Sequence, residues 1–455
     1  MMVNLIILYF PFLQCVVVLP RKLALGEKVE QPKQEVVDLD GGASPEMDKD
    51  VLINDKYSMA MATAHQFLTV FLTKCGSKNE DIDYRPLFEN FVQDLLTTVN
   101  TPEWPAAELL LSLLGHVLRE KFKDRGTEMA LRNSSLEYLG VVAARLRKDV
   151  VQSKNKVDYI DSIIRLIKEE EEKDNPELAS RSKKKNSASS IELDPEEERT
   201  RFLQRVLLDY LAVNGGETDH ATMNARHFYI CQWYRDANAV AKKPRKAKKS
   251  NSHNNNNKRK KRRRGGEESS DDSSESEQEE EEELEEEDEK NMSDSKKAEL
   301  FRLREERKNF LVSKIPPFGI DRGQKAQVLS THIDHDSAHL IVKFLSSKRP
   351  FFNSFNSYLQ DILNVLNEQS TQVRTKALKC MAMIVAEDPE VLLRQDMQTG
   401  VQYSFMDSST MVREAAVDLL GKFILHNQDL ITQYYKIITD RILVSIVKLK
   451  INLND

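Results

Sequence analysis

Two stretches near the C-terminal end of the 455-residue chain repeat one pattern at an interval of 39 residues. The sequence QVRTKAL at 372–378 aligns with MVREAAV at 411–417, so that a Val-Arg pair opens an apolar helix in both stretches. Self-similarity at this period is typical of HEAT-type helical hairpins. Because one hairpin cannot bury its apolar face alone, neighbouring hairpins stack. The pattern therefore predicts an all-α fold, a HEAT-type α-solenoid, whose function is docking rather than chemistry.

The two arginines of the repeat, Arg374 and Arg413, occupy equivalent helix positions. One interpretation is a row of phosphate-binding cations, and the other is that each arginine pairs with a carboxylate between hairpins. We favour the second because a solenoid has to satisfy the charges at its interfaces. We therefore assign a structural role to the six residues of the repeat signature: Val373, Arg374, Ala377, Val412, Arg413 and Ala416.

Charged residues make up 31% of the chain, above the average for globular domains, and they lie in blocks. Part of the chain is therefore expected to stay unpacked, and a long charged insert is expected to interrupt the solenoid. We divide the chain into an apolar leader and polar linker at 1–50, a helical segment at 51–175, a polar linker at 176–193, a second helical segment at 194–241, a disordered basic-then-acidic insert at 242–295, HEAT repeats at 296–443 and an atypical tail at 444–455.

The leader, Met1 to Leu19, is apolar enough to suggest a signal peptide or a membrane anchor. However, no Lys or Arg precedes the apolar run, Pro11 interrupts it, and the cleavage signal is poor. The run is also barely long enough to span a bilayer. We therefore interpret the leader as translated non-coding sequence in front of an internal piece of a larger protein, and we expect no membrane partner.

Two helices carry further signals. Ser134 and Glu137 have the spacing of a capping box, which predicts that a helix starts at Ser134. Residues 219–240 form a predicted helix rich in aromatic side chains, which belong either to a base-stacking surface or to the core. Because stacking platforms normally lie on sheets or in grooves, we expect Phe228, Trp233 and Tyr234 to be buried between hairpins.

The insert begins with a basic block that suits either a nuclear-import receptor or the DNA backbone. We favour import, and DNA contact through the same residues is compatible with it. Phosphate contacts of this kind are blind to sequence and sensitive to salt. The thirteen candidate cations are Lys242, Lys243, Arg245, Lys246, Lys248, Lys249, Lys258, Arg259, Lys260, Lys261, Arg262, Arg263 and Arg264.

An acidic block follows, with sixteen Asp or Glu between Glu267 and Glu289. Serines with acidic residues downstream attract acidophilic kinases, and phosphorylation deepens the negative charge. The alternative is that the acidic block only screens the neighbouring basic run, and both interpretations stay open. The candidate phosphorylation sites are Ser269, Ser270, Ser273, Ser274 and Ser276.

Patterns that carry catalysis are absent from the sequence, which has no Walker-type phosphate loop, no His-Glu-x-x-His and no Gly-x-Ser-x-Gly. His332, His335 and His339 cluster with two aspartates, but no distant ligand is evident, and Asp334 or Asp336 is explained as a helix cap. The four cysteines lie far apart, which favours reduced thiols in an intracellular protein. We therefore expect no enzymatic activity, no metal and no cofactor.

Four blocks of sequence, in order, resemble the Nipped-B-like adherins, the family of cohesin-loading proteins. They are WPAAELLLSLLGHVL with TEMALRNSSLEYLGVVAARLRKDVV, then ARHFYICQWYRDA, then LIVKFLSSKRPFFNSFNSYLQDILNVL, then VRTKALKCMAMIVAEDPEVL with MDSSTMVREAAVDLLGKFI. The resemblance implies a hook-shaped HEAT solenoid in the nucleus that helps to load the cohesin ring onto chromatin without hydrolysing ATP itself. It also implies roles in sister-chromatid cohesion, chromatin looping and gene regulation.

The resemblance implies three partners, which are cohesin subunits, double-stranded DNA and a tetratricopeptide-repeat loader partner. The chain departs from the family pattern, because it is far shorter, the arm that binds the tetratricopeptide-repeat partner is missing or replaced by the leader, and LVSIVKLKINLND stands where a third repeat is expected. We therefore expect an internal fragment. The alternative function is a HEAT-repeat adaptor in nuclear transport or phosphatase scaffolding.

Overall fold

The described part of the chain is almost entirely helical. The computed structural model describes residues 49–76, 83–174, 195–214, 220–237, 294–315 and 333–423, together with short pieces at 13–14, 17, 19, 29–30, 46–47, 431–432, 434–435 and 439. Besides helices, these residues include one pair of two-residue antiparallel strands, β1 (Val29–Glu30) and β2 (Glu46–Met47). The predicted all-α fold is confirmed.

Among the described residues, seven helices precede the insert. They are α1 (Lys49–Gly76), α2 (Arg85–Thr98), α3 (Ala106–Lys123), α4 (Met129–Asn155), α5 (Val157–Asp174), α6 (Pro195–Asn214) and α7 (His220–Asp236). Helix α3 follows Pro105 and is apolar on most of its surface, since Leu110, Leu111 and Leu114 are all buried together with their neighbours. A helix of this kind lies in the interior of its layer rather than at the surface.

In the described ranges after the insert there are seven more helices. They are α8 (Asp294–Ser313), α9 (His335–Ser346), α10 (Pro350–Asn353), α11 (Phe355–Asn364), α12 (Thr371–Glu387), α13 (Gln395–Phe405) and α14 (Thr410–Phe423). Short 3₁₀ turns at Val365–Asn367 and Pro389–Leu393 follow α11 and α12. Asp388 starts the second turn because its side chain accepts a hydrogen bond from the Glu390 N–H and Pro389 suits a first helical position.

Three hairpins, α3–α4, α11–α12 and α13–α14, stack side by side. Their second helices contact one another in the order α4, α12 and α14. Their first helices follow the same order, because Arg119 of α3 pairs with Asp361 of α11, and α11 contacts α13. One continuous apolar core runs between the two layers. The predicted HEAT-type solenoid is therefore confirmed.

The first of these hairpins lies before the insert and the other two lie after it. Helices α5 and α6 both contact α9, while α7 contacts α1 and α8, so the helices between α4 and α11 pack back against the stack. The helices on the two sides of the insert thus form one packed body. The insert itself, apart from the first residues of α8, lies outside the described residues.

Helix α4 begins at Met129, so the capping-box prediction of a helix start at Ser134 is wrong. Ser134 lies inside the helix, where its hydroxyl donates a hydrogen bond to the Ala130 carbonyl at 3.1 Å. The residues before Ser134 therefore belong to the helix as well. Among them, LRNSSL at 131–136 has the pattern of VRTKAL at 373–378, which makes α4 the second helix of a repeat hairpin.

Small residues at one repeat position set how closely the second helices approach. Gly140 of α4 faces α12, and a Cβ added there would lie 2.6 Å from Cys380 Cβ and 2.7 Å from its Sγ. The repeat register places Ala382 of α12 and Gly421 of α14 at the same position. A Cβ added at Gly421 would meet no atom within 4 Å. A larger side chain at this repeat position therefore has no room in α4 but has room in α14.

A buried ion cluster joins α3, α7 and the segment between α9 and α10. Arg349 donates from Nε to Asp236 Oδ2 at 2.7 Å and from Nη1 to Glu108. The Glu108 side chain is only 4% exposed and also accepts a hydrogen bond from Ser346 Oγ at 2.9 Å. Burial raises the pKa of Glu108, while Arg349 and Ser346 act to lower it. Since Asp236 ends α7, Arg349 fixes the start of the insert to the helices beyond it.

Helix α8, which follows the insert, is attached to the same body by further ion pairs. Lys308 Nζ lies 3.0 Å from Asp50 Oδ2 of α1, and Tyr234 of α7 donates a hydrogen bond to the same carboxylate. Arg307 pairs with both carboxylate oxygens of Glu197 on α6, at 2.7 and 2.6 Å. Both ends of the insert are therefore tied to one structural unit.

The aromatic side chains of α7 form part of the core. Phe228 and Tyr234 are 0% exposed and Trp233 is 5% exposed, so their predicted burial is confirmed. The Tyr229 and Trp233 rings stack at a centroid distance of 5.1 Å, and Phe228 contacts Tyr57 of α1. These rings are occupied by packing and do not present a face to a nucleic-acid base.

We predict opposite effects for two identical substitutions at the shared repeat position. Gly140→Leu should lower the free energy of unfolding by roughly 1–3 kcal/mol or more, because the new side chain overlaps Cys380. The matched control, Gly421→Leu, should raise it by up to about 1 kcal/mol, because leucine favours the helix over glycine and the space is open. Urea unfolding followed by circular dichroism measures both, and a decrease in the Gly421 variant would contradict the register.

The buried cluster around Arg349 gives a second prediction. Arg349→Leu should lower the free energy of unfolding by about 3–5 kcal/mol, because it leaves the Glu108 carboxylate buried without its counter-ion. The control is Arg302→Leu, which removes an exposed pair with Glu306 on α8 and should change it by no more than about 0.5 kcal/mol. Equal decreases in the two variants, measured by the same unfolding experiment, would show that the cluster is not a link between segments.

Candidate docking surface

Arg374 links the hairpin that contains it to the next one. Its Nε and Nη2 donate to the two carboxylate oxygens of Asp407, in the turn before α14, at 2.8 and 2.9 Å. Its Nη1 donates to the carbonyls of Glu368 and Gln369 at 2.7 and 2.8 Å. Arg374 holds the pKa of Asp407 below its ordinary value, so the carboxylate is charged at neutral pH. This arginine, 11% exposed, faces the interface between hairpins rather than a ligand.

Arg132 of α4 makes the equivalent link one hairpin earlier. Its Nη2 donates to Glu368 Oε1 at 3.0 Å. Glu368 and Asp407 lie in equivalent turns, each six residues before the arginine of its own repeat. Arg132 is not part of the predicted repeat signature, because a helix start at Ser134 places it outside the helix. The signal that identifies it is the Leu-Arg pair at 131–132.

Arg413 of α14 repeats the local part of this arrangement. Its Nη1 donates to the carbonyls of Asp407 and Ser408 at 2.8 and 3.0 Å, which lie six and five residues before it. Arg374 bonds to the carbonyls at the same two positions of its own repeat. Within the described residues, no carboxylate from a following hairpin pairs with Arg413. We call Arg132, Arg374 and Arg413 the arginine ladder. Its first two arginines each pair with a carboxylate of the next hairpin, and the third makes only the local contacts.

The apolar members of the repeat signature lie in the core. Their exposed fractions are between 0% and 2% for Val373, Ala377, Val412 and Ala416. These side chains pack inside the hairpins. They support the surface from within and do not touch a ligand.

One position on the outward face of α14 is exposed although its equivalents in α4 and α12 are covered. Val417 is 55% exposed, whereas Leu136 and Leu378, at the same repeat position, are 0% exposed. Met411 is 54% exposed on the same side. Because residues three, four and seven apart share a helix face, these positions form one stripe. We call this stripe, made of Met411, Glu414, Val417, Asp418 and Gly421, the α14 edge.

The predicted basic and phosphorylation candidates cannot be placed on this surface. The thirteen cations between Lys242 and Arg264 and the five serines between Ser269 and Ser276 all lie outside the described residues. The structure therefore brings together only the repeat-signature residues of the predicted set.

The histidine cluster is explained by local structure. Of the two aspartates predicted as a cap, Asp334 is the one that caps α9, since its Oδ1 accepts a hydrogen bond from the Ser337 N–H at 2.8 Å. His335 Nε2 lies 3.7 Å from Glu103 Oε2. Among the residues that the structure describes, no group of three or more His, Cys, Asp or Glu is arranged to hold a metal ion. His332 lies outside them.

The thiols of the described region are poorly suited to nucleophilic chemistry. Cys75, Cys231 and Cys380 are free, and burial raises the pKa of Cys75 and of Cys380 to about 12. Since the thiolate is the reactive form, these side chains are inert at neutral pH. The Cys380 thiol instead donates a hydrogen bond to the Leu136 carbonyl of α4 at 3.4 Å, across the interface between hairpins.

The leader is only partly described, and its described residues are internal. Leu13, Gln14, Val17 and Leu19 are all 0% exposed. In the ranges that the structure covers, no helix has both the length and the apolar character needed to cross a bilayer.

A family model matches the C-terminal repeats. The model, described as a HEAT repeat associated with sister chromatid cohesion, matches residues 379–420. These residues run from α12 through α13 into α14 and include Arg413. The match therefore falls on the hairpins that the 39-residue repeat predicts.

Comparison with known proteins extends the similarity to almost the whole chain. The chain is 43% identical to the Nipped-B protein of Drosophila melanogaster over 96% of this chain, which is 21% of that protein. It is 41% identical to the Nipped-B-like protein of Homo sapiens, again over 96% of this chain but only 13% of the relative. The Caenorhabditis elegans Nipped-B-like protein scc-2 is 28% identical over 87% of this chain. The chain thus spans about a fifth or less of the length of these relatives.

A solved structure shows the same fold. The C-terminal fragment of the Chaetomium thermophilum cohesin loader SCC2 matches with a TM-score of 0.52 at 18% identity, over 94% of this chain and 29% of that one. The sequence identities and the family model agree with this likeness. The chain therefore belongs to the Nipped-B-like family.

Proposed function

We propose that this chain is a section of a cohesin loader and acts as a non-enzymatic scaffold that promotes loading of the cohesin ring onto DNA in sister-chromatid cohesion. The observation that carries the proposal is the 41–43% identity to Nipped-B and Nipped-B-like proteins across 96% of the chain. The name of the matched structure, a cohesin loader, supports it. These matches favour a loader over an adaptor in nuclear transport or phosphatase scaffolding.

We further propose that the protein works in the nucleus on chromatin, with consequences for chromatin looping and transcription. The expected partners are cohesin subunits and double-stranded DNA, with the tetratricopeptide-repeat protein as a further member of the complex. The basic run between Lys242 and Arg264 suits both an import receptor and the DNA backbone.

The arginine ladder supports a scaffold role through its effect on geometry. Arg132 and Arg374 are 12% and 11% exposed and pair with carboxylates of the next turn. Each hairpin is therefore held in register with its neighbour, and surfaces on different hairpins keep their relative positions when a large ligand binds. Because both charges are used inside the solenoid, they are not available to grip phosphate. DNA contact is therefore expected to come from the basic run.

Capture from nuclear extract tests the loader proposal. We expect the full chain, immobilised, to retain cohesin subunits. The Gly140→Leu chain keeps every charge but disturbs the contact between α4 and α12, so it should retain less cohesin while adhering equally to nonspecific polyanions. Mass spectrometry of the eluates measures how much cohesin each of the two chains retains. Recovery of Ran or phosphatase subunits in place of cohesin would support the adaptor function instead.

Salt dependence tests the role of the basic run. We expect the full chain to bind duplex DNA weakly, with log K falling linearly as log salt concentration rises. Replacing residues 258–264 by glutamine should make the slope shallower by about 0.9 for each phosphate that the variant no longer neutralises. The control replaces the five serines of the acidic block by alanine and should leave the slope unchanged. A slope that is the same in the wild-type chain and the glutamine variant would contradict DNA binding by this run.

A further inference from the structure

A buried arginine on α7 uses only part of its guanidinium group. Arg226 is 7% exposed, and its Nε donates a hydrogen bond to the Leu208 carbonyl of α6 at 2.9 Å. Its Nη1 is buried, and no described residue accepts a hydrogen bond from it. An unbonded polar atom inside a protein carries a desolvation cost, which is larger for a charged group. Arg226 therefore has a donor and a positive charge to offer beside Leu208.

A second cation reaches the same part of α6 from the end of α8. Arg201 of α6 lies 3.9 Å from Glu306 of α8. Eight residues further along each segment, Lys314 and Asp209 again interact electrostatically, so the two segments run side by side in the same direction. Lys314 is half-buried directly after α8 and also lies within electrostatic range of Arg226. The charges of Lys314 and Arg226 thus converge at Asp209.

Arg205 is the third cation at this place. It lies one helical turn before Asp209 and therefore on the same face of α6. Its Nη2 lies 2.7 Å from Glu171 Oε1 of α5, and its guanidinium lies 4.8 Å from the centre of the Phe202 ring. Three cations thus meet two carboxylates, which leaves one positive charge in excess.

The acidity of the two inner cations agrees with this excess. Burial lowers the pKa of Arg226 to about 10, although Asp209 acts to raise it. Burial also lowers the pKa of Lys314, and the neighbouring Arg205 and Arg226 lower it further. The nearby carboxylates therefore compensate these positive charges only in part, and an anion from outside would be attracted.

We propose that Arg226, Lys314 and Arg205 form a binding site for a phosphate group, either the free ion or a monoester. Phosphate brings more than one negative charge and several acceptor oxygens, so it can accept hydrogen bonds from the Arg226 guanidinium and the Lys314 ammonium together. The cations belong to α6, to α7 and to the end of α8. A bound phosphate therefore joins α7, which precedes the insert, to α8, which follows it.

Hydrogen exchange in the full chain tests the site, because it reports on these helices and not on the basic run. Inorganic phosphate, compared with chloride at equal ionic strength, should slow amide exchange in residues 205–211, 225–230 and 311–315. The effect should be saturable and reach roughly tenfold at ten times the apparent dissociation constant. Phosphoserine, used in place of inorganic phosphate, distinguishes the two sources. Protection by phosphoserine shows that the site takes a monoester, and protection by phosphate alone shows that it takes the free ion.

Substitutions at Lys314 separate a site from general stabilisation by phosphate, which acts on every chain. Lys314→Met should weaken the apparent phosphate affinity roughly tenfold, the effect of one charge-assisted hydrogen bond, whereas Lys314→Arg should retain it. The matched control, Lys379→Met, removes the same charge from an exposed position on α12 and should leave the affinity unchanged. Equal protection in wild type and Lys314→Met would overturn the proposal. Protection spread evenly over all helices, or none in the wild type, would overturn it as well.

Discussion

The contact between α4 and α12 is the constraint on which the rest of the structure depends. The two helices carry equivalent repeat positions, although Arg132 and Arg374 are 242 residues apart in sequence. Closing a loop costs entropy, but this cost grows slowly, by about 0.6 kcal/mol for each doubling of length. One well-packed helix interface offsets such a difference. The length of the segment between the two helices, charged insert included, therefore adds little to the free-energy cost of forming this interface.

Ion pairs at the interfaces specify the register more than they supply stability. A buried pair is often no more stabilising than apolar residues of the same volume, whereas one buried charge without its partner costs several kcal/mol, roughly 3–5. If a hairpin slipped along its neighbour, Arg374 and Asp407 would both lose their partners. The same holds for Arg132 and Glu368. The apolar contacts thus favour stacking in general, and the arginine ladder selects one arrangement of the stack.

The parts of the fold that the sequence predicts are those in which the repeat is unbroken. The 39-residue interval is visible between α12 and α14, so their stacking follows from pattern alone. The same pattern in α4 is hidden, because the long intervening segment removes the interval and Ser134 resembles a helix cap. A serine satisfies its hydroxyl equally well inside a helix, at the Ala130 carbonyl, so the capping signal is weak. The Arg349 cluster is beyond prediction from sequence, since its carboxylates lie 113 and 241 residues away.

The distribution of charge suits the scaffold role that we propose. Arg132 and Arg374 pair with carboxylates inside the stack, whereas thirteen cations lie together in the basic run of the insert, where we propose that DNA binds. The two ends of the insert are attached to one body, through Asp236 at its start and Lys308 after it. A ligand bound to the insert is therefore tethered beside the solenoid, where its effective concentration depends on the tether and not on the bulk solution. In the role that we propose, a scaffold that binds DNA through the insert and cohesin through its hairpins would bring the two together by geometry alone.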